Sequence, residues 1–212
     1  MRLHVANHPL IAHKLTVLRD ERTPSTTFRQ LVDELVTLLA YEATRDLKTE
    51  PVEIKTPVTS TTGVRMAHPL PIVIPILRAG LGMLNGMMKI LPEAEVGFLG
   101  LFRDEKTFEA HTYAERLPED LTGRQVFLLD PMLATGGTMV AAIDYCTRRG
   151  ASEIVCISIL AAPEGLEVAE EETKHRADVS VFTAAVDQKL NEKKYIVPGL
   201  GDAGDRLYGV VD

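Results

Sequence analysis

Asp130, Thr135, Gly136, Gly137 and Thr138 fall within one run, Val126 to Ile143, that reads in three parts: an apolar stretch ending at an acid, a loop with two glycines between two threonines, and a small-residue amphipathic helix. A strand that delivers a carboxylate into a glycine-rich turn, followed at once by a helix N-terminus, suits a phosphorylated sugar. Unpaired N–H groups of the loop and first helical turn would face the anion, which the helix dipole also favours. Asp130 would accept hydrogen bonds from sugar hydroxyls beside the phosphate. The spacing matches neither common nucleotide fingerprint: no lysine follows the glycines as in a P-loop, and no G-x-G-x-x-G follows the strand. Glycines alone fit an ordinary βα turn equally well. The acid and the paired threonines favour the ligand.

Two further clusters join this one. Arg78, in Leu77-Arg-Ala-Gly80 after a long apolar run, and Arg103, after Phe102, stand where strands are expected to end, as Asp130 does. In an open α/β sheet, ligands lie outside the carboxyl ends of the strands. Two guanidinium forks, which match phosphate oxygens in pairs, and a carboxylate would then share a site for a polyanionic sugar. Taken singly, either arginine fits a surface charge. The run Tyr195-Ile-Val-Pro-Gly-Leu-Gly-Asp202-Ala-Gly-Asp205-Arg206 concentrates glycines, a proline and two acids in a shaped loop, which in isolation reads as a surface turn.

Asp130-Pro-Met-Leu-Ala-Thr-Gly-Gly-Thr138 resembles the phosphoribosyl-pyrophosphate motif of the type I phosphoribosyltransferases, in the form found in the uracil phosphoribosyltransferase family. Most of the wider superfamily carries two adjacent acids where this chain has Asp130 followed by Pro131. The Arg78 loop resembles that family's pyrophosphate loop, and the Tyr195 to Arg206 run its uracil loop. The resemblance spans essentially the whole chain, from Tyr41-Glu-Ala-Thr to the terminus. It departs at Glu109-Ala-His-Thr-Tyr113, where the family usually has a proline ahead of the tyrosine.

The resemblance implies transfer of the 5-phosphoribosyl group from 5-phospho-α-D-ribose 1-diphosphate (PRPP) to uracil, giving UMP and diphosphate in pyrimidine salvage. It implies PRPP contacts from Arg78, Arg103, Asp130, Pro131, Met132, Leu133, Ala134, Thr135, Gly136, Gly137, Thr138 and Asp202. Uracil contacts would come from Ile196, Gly201, Asp202 and Ala203, with Asp202 and Arg103 as the catalytic pair. Asp205 is expected to stabilise its loop. Mg2+ is the implied cofactor, held mainly through the pyrophosphate and not by a protein metal site. GTP as an effector and a homodimer or homotetramer belong to the same expectation. The base loop has a readable logic: one edge of uracil offers acceptor, donor, acceptor, and a tightly turned backbone answers with N–H, C=O and N–H. Cytosine reverses part of that pattern and would leave buried groups unpaired.

The elements that must position these residues follow from periodicity. Pro9 to Arg19 and a segment beginning near Thr23 to Ser25 read as helices, the second with Phe28, Leu31, Val32, Leu35, Leu38 and Leu39 on one face. Pro51 to Met66 alternates as an antiparallel pair or flap. Leu70 to Leu77 is a buried strand, although Pro71 and Pro75 argue against a central place. A methionine- and glycine-rich helix spans Leu81 to Ile90, and strands cover Val96 to Phe102, Gln125 to Asp130, Glu153 to Leu160 and Asp178 to Thr183. Helices cover Thr138 to Arg149, with Gly150 as the stop, and Pro163 to Lys174. Arg103 to Leu121 is a polar excursion from the sheet. The alternation gives an α/β fold with a mostly parallel sheet. The resemblance implies a single type I phosphoribosyltransferase domain over 1–212, its twisted sheet flanked by helices, with an N-terminal helical extension, a β flap and a small C-terminal hood.

Composition bounds the alternatives. A chain of 212 residues, 45% hydrophobic, can bury a substantial core, and its formal charge of −7 argues against non-specific nucleic-acid binding. That charge counts against the RNA-binding regulators built on this fold, and the missing second acid counts against purine or orotate substrates. Cys146 and Cys156 show neither metal spacing nor a disulfide framework and read as buried thiols in a reducing compartment. Histidines interrupt any N-terminal signal pattern, and no apolar run approaches a membrane span, so a cytoplasmic location is expected.

Overall fold

Short apolar runs that alternate with helical patterns become strands covered on both faces, and the middle of this chain does so. The structure, a computed structural model, describes residues 1–103 and 110–209. In chain order the elements are β1 (Arg2–Val5), α1 (Pro9–Arg19), α2 (Ser25–Ala43), β2 (Thr49–Lys55), β3 (Ser60–Met66), β4 (Ile72–Leu77), a 3-10 turn (Ala79–Met83) leading into α3 (Leu84–Ile90), β5 (Glu95–Val96), β6 (Phe98–Arg103) and β7 (Ala110–Arg116). There follow β8 (Gln125–Leu129), β9 (Met132–Leu133), α4 (Gly137–Thr147), β10 (Glu153–Ala161), α5 (Pro163–Thr173), β11 (Asp178–Val186), β12 (Lys189–Leu190), β13 (Ile196–Val197) and α6 (Ala203–Tyr208).

Among the described residues the main sheet runs β1-β11-β10-β8-β4-β6-β7, parallel except for β7, which returns antiparallel to β6. The period-two alternation of strand side chains divides the core. Val126 and Leu128 of β8, with Ile154 and Cys156 of β10, pack in one layer with Met139, Ile143 and Cys146 of α4. Phe127, Leu129, Val155 and Ile157 pack in the other with residues of α1, α2, α3 and α6.

Packing, not capping, holds α2. Its N-cap position is Pro24, with no side-chain cap bond, and such a cap is worth about 1 kcal/mol. Its buried stripe of Phe28, Leu31, Val32, Leu35, Val36 and Leu39 contributes about 1.5–3 kcal/mol per side chain.

Four local features depart from the sequence expectations. β4 lies inside the sheet despite its prolines, because its ladder to β5 and β6 breaks between Val73 and Ile76, where Pro75 has no N–H to give. The helix expected from Leu81 opens as the 3-10 turn and becomes α-helical only at Leu84. β1, an exposed edge strand parallel to β11, has too little apolar patterning to be seen in sequence. The loop after Asp130 contains β9, which extends the pairing along β10 through Met132↔Leu160 and Leu133↔Ala161.

The flap is the β2–β3 hairpin, registered from Thr49↔Met66 to Lys55↔Ser60 and largely exposed. The hood is β12, β13 and α6. It is fastened to the helical extension by Leu207, fully buried, and by Arg29, whose Nη1 donates to the Leu207 carbonyl at 2.8 Å.

Candidate active site

Three predicted strand ends lie on adjacent strands of the sheet: β4 leads into Arg78, β6 ends at Arg103 and β8 leads into Asp130. A Cβ on Gly80 would fall well inside contact distance of the Leu129 carbonyl oxygen, so only glycine lets the Arg78 loop sit against the strand end that delivers Asp130. Arg78 is exposed and has no ion-pair partner among the described residues, leaving its fork available to an anion. The Leu77–Arg78 peptide is cis. The side chain of Arg103 lies outside the described part of the structure, as do Glu109 and the side chains of Ala110 and His111 in the departure at 109–113.

The loop from Asp130 is built on the sheet. The Pro131 carbonyl accepts from Ile159 and Leu160 N–H at 3.0 and 3.1 Å, and Ala162 N–H reaches the Leu133 carbonyl at 2.9 Å. Pro131 and Leu133 are buried and support the loop from beneath. Gly136 caps α4 with φ +81°, a left-handed conformation where a Cβ would also meet the Gly165 carbonyl oxygen at 2.6 Å. The first intrahelical bond of α4 runs from Val140 N–H to the Gly136 carbonyl at 2.9 Å, so the N–H groups of Gly137, Thr138 and Met139 have no partner within the helix. A Cβ on Gly137 would meet nothing within 4 Å, and the helix N-terminus opens onto free space there.

Asp130 is partly buried. Burial pushes its carboxyl up to about 6, opposed by a long hydrogen bond from Met132 N–H to Oδ1 at 3.4 Å. Asp202 is exposed and caps α6, its Oδ1 accepting Asp205 N–H at 2.9 Å. The carboxylate that caps this loop is therefore that of Asp202, with Asp205 contributing its backbone N–H, and the other Asp202 oxygen is in no hydrogen bond among the described residues.

Two clefts adjoin at this end of the sheet. One, of about 150 Å³, is lined by Asp130, Met132, Leu133, Ala134, Thr135, Gly136, Thr138, Met139 and Lys194. The other, of about 300 Å³, is lined by Ile196, Gly201, Asp202 and Ala203 together with Met132, Ala134, Lys193, Lys194 and Tyr195. The shared residues Met132, Ala134 and Lys194 form the common wall. The structure therefore brings the motif loop and the C-terminal loop together, with Arg78 on the neighbouring strand end and outside both clefts.

Lys193 and Lys194 escaped the sequence expectations, while Tyr195 opens the run singled out there without an assigned contact. The paired lysines immediately before the glycine-rich run were the available signal, but a charge pair at a turn reads as surface. Lys194 has φ +64°, the one positive φ of a non-glycine among the described residues. Asn191 makes that turn: its Oδ1 accepts Lys193 and Tyr195 N–H at 3.0 and 2.9 Å, and its carbonyl accepts Lys194 N–H at 2.9 Å. Glu164 braces the same hairpin, accepting Leu190 N–H at 2.9 Å, and that bond, aided by Lys194 and Lys189, holds its carboxyl below the usual range.

A parallel sheet with a motif loop after β8 and a hood beside the carboxyl ends of its strands is the architecture of the type I phosphoribosyltransferases, while the β2–β3 hairpin is based at the opposite, amino ends, where Lys48 pairs with Glu153. A solved hypoxanthine-guanine phosphoribosyltransferase from Bacillus anthracis shares the fold at a TM-score of 0.51 over 77% of this chain and 80% of its own, at 14% identity. Residues 5–210 match the family model described as uracil phosphoribosyltransferase, and the chain belongs to that family of pentosyl-transferring glycosyltransferases. Proteins named uracil phosphoribosyltransferase from Beutenbergia cavernae and Kineococcus radiotolerans are 70% and 68% identical over the whole of both chains. A solved protein of Aquifex aeolicus superposes with a TM-score of 0.91 at 42% identity, over 98% of each chain. Among the described residues no helix is long and apolar enough to cross a membrane.

Proposed function

We propose that the chain transfers the 5-phosphoribosyl group of PRPP to N1 of uracil, forming UMP and diphosphate in pyrimidine salvage. The carrying observation is the common wall of Met132, Ala134 and Lys194, which sets the phosphate-binding loop and the C-terminal loop side by side at one end of the sheet. The free N–H groups at the start of α4 hold the 5′-phosphate, and Asp130 accepts hydrogen bonds from the ribose hydroxyls. Arg78 and Arg103 neutralise the departing pyrophosphate as the anomeric carbon gains oxocarbenium character. Ile196, Gly201 and Ala203 present backbone groups to the edge of uracil, which aligns N1 with the sugar. Asp202 faces the ribosyl pyrophosphate with its unused oxygen, and it or water takes the N1 proton.

Mg2+ suits this site as an ion carried by the substrate. Asp130 and Asp202 offer hard carboxylate oxygens, while no group of three acidic, histidine or cysteine side chains gathers among the described residues to hold a metal, so pyrophosphate and water would complete its shell. When bound it supplies Lewis-acid stabilisation of the leaving group. The same resemblance supports one domain over 1–212, a homodimer or homotetramer, GTP as an effector and a cytoplasmic location. The net charge of −7 supports the absence of nucleic acid among the partners.

The test is to incubate the protein with PRPP, Mg2+ and each nucleobase separately, then resolve the nucleotides formed. UMP from uracil alone is expected. Consumption of hypoxanthine or orotate without uracil overturns the substrate assignment.

A further inference from the structure

We propose that the buried Arg19–Asp187 pair is a positioning device for base recognition, setting the affinity for the pyrimidine independently of that for PRPP. The proposal rests on the uracil reading of the 196–203 loop.

Asp187 directly follows β11, and its side chain is 4% exposed. It accepts from Nη1 of Arg19 at 2.7 Å, from Nη2 of the same guanidinium, and from the N–H of Gly199 at 2.8 Å. Nη1 of Arg19 also donates to the Gly199 carbonyl at 2.7 Å. Both backbone groups of Gly199 are therefore held by one ion pair. Gly199 is the apex of the turn between Ile196 and Gly201: it has φ +64°, and a Cβ there would collide with the Ile196 carbonyl. A shift of Gly199 thus moves the two flanking residues assigned to the base.

A second guanidinium adds to the clamp. Arg206 donates through Nη1 to the carbonyls of Leu18 and Leu200 at 2.8 and 3.0 Å, and through Nη2 to that of Asp20 at 2.7 Å, with its plane 4.4 Å over the Phe28 ring. Leu18, Arg19 and Asp20 all belong to the end of α1 or its cap. The base loop is therefore tied at Gly199 and Leu200 to one point, the last turn of α1 and its cap. Neither Arg19 nor Asp187 lines either cleft, so each acts through the loop backbone and not on a substrate. The motif loop is braced by β10 and α5, which supply no side chain to this clamp, although Asp187 N–H donates to the Ala161 carbonyl of β10 and Glu164 of α5 accepts Leu190 N–H in the base hairpin.

Whether the side chains of this clamp act on the base loop alone is what the experiment reads. The variants are Asp187→Asn, which keeps an acceptor for Gly199 but loses the charge, and Arg19→Lys, which keeps the charge but loses the fork. Steady-state kinetics with uracil and PRPP varied in turn would show the KM for uracil raised about tenfold or more in Asp187→Asn, by analogy with loss of a charge-assisted hydrogen bond. The KM for PRPP and kcat at saturating uracil would stay within about twofold, Arg19→Lys would lie between, and preference for uracil over cytosine would narrow in both. If KM values for both substrates, kcat and thermal stability move together, the pair is only structural and the proposal fails; it fails equally if neither variant changes the KM for uracil. Should Asp187→Asn not fold, the split in Arg19→Lys decides alone. A wild-type protein that does not use uracil overturns the functional reading itself, which the variants do not bear on.

Discussion

Asp130 carries the sharpest pH dependence at the level of single residues. Its carboxyl is raised from 3.8 to about 6 by burial, so the folded protein takes up this proton as pH falls through about 6, before the unfolded chain does. Protonation therefore favours the ligand-free fold, and that contribution is lost as pH rises through about 6. Binding of the sugar needs the opposite state, because only the carboxylate accepts from two hydroxyls. The affinity for PRPP is expected to fall by up to about tenfold per pH unit below about 6, beyond the change in the ligand's own ionisation. Calorimetric titration of wild type against Asp130→Asn checks this: the variant should bind PRPP about ten- to a hundredfold more weakly at pH 8 and show none of the extra pH dependence. Lys194 makes a second case. Its left-handed backbone costs a non-glycine residue about 1 kcal/mol, so Lys194→Gly should unfold at a slightly higher temperature while its KM for PRPP rises. A variant that binds PRPP as tightly as wild type would remove the ammonium from the site. Neither residue's setting was legible in sequence, since burial of Asp130 comes from the strands around it and the turn at Lys194 from Asn191.

At the level of elements, the two glycines of the motif should separate under the same substitution. Gly136→Ala meets both a positive φ and the Gly165 carbonyl, so it should destabilise the fold by about 2 kcal/mol or more and misplace the start of α4. Gly137→Ala meets nothing and sits in the first helical turn, where alanine is favoured by about 1 kcal/mol, so stability should hold or rise. The added methyl nonetheless stands where the phosphate must approach the free N–H groups, and PRPP affinity should drop. Urea unfolding paired with PRPP titration distinguishes the two. The position of this loop was legible because a strand, an acid, two glycines and a helix follow one another without interruption. The alternating helices and strands behind it, and the stop at Gly150, were legible for the same local reason. The pieces that were not, β9 and the 3-10 turn after Arg78, are too short to show a period and exist because neighbouring strands pair or pack with them. Pro75 misled because proline restricts only the side of a strand to which its N–H would point, and sequence does not say which side is paired.

For the whole molecule, the buried thiols offer a test of whether residues 1–212 unfold as one body. Cys146 on α4 and Cys156 on β10 are fully buried in the same core layer, and both are free. Burial pushes the Cys146 thiol up to about 12 and the Cys156 thiol upward as well. At pH 8 the reactive thiolate of Cys146 would then be about one part in ten thousand even before access is considered. Neither thiol should react with an aromatic disulfide reagent in the native protein. In rising urea, both should become reactive together, in step with loss of far-ultraviolet ellipticity and of enzyme activity, because strands from both halves of the chain contribute to that layer: Ile72 and Ile74 of β4 belong to the same cluster as Val179 and Val181 of β11. Labelling of Cys146 ahead of Cys156 would mean that α4 lifts off the sheet alone. The motif loop, which begins that helix, would then be governed by local opening, and the single-domain assignment would not describe its stability.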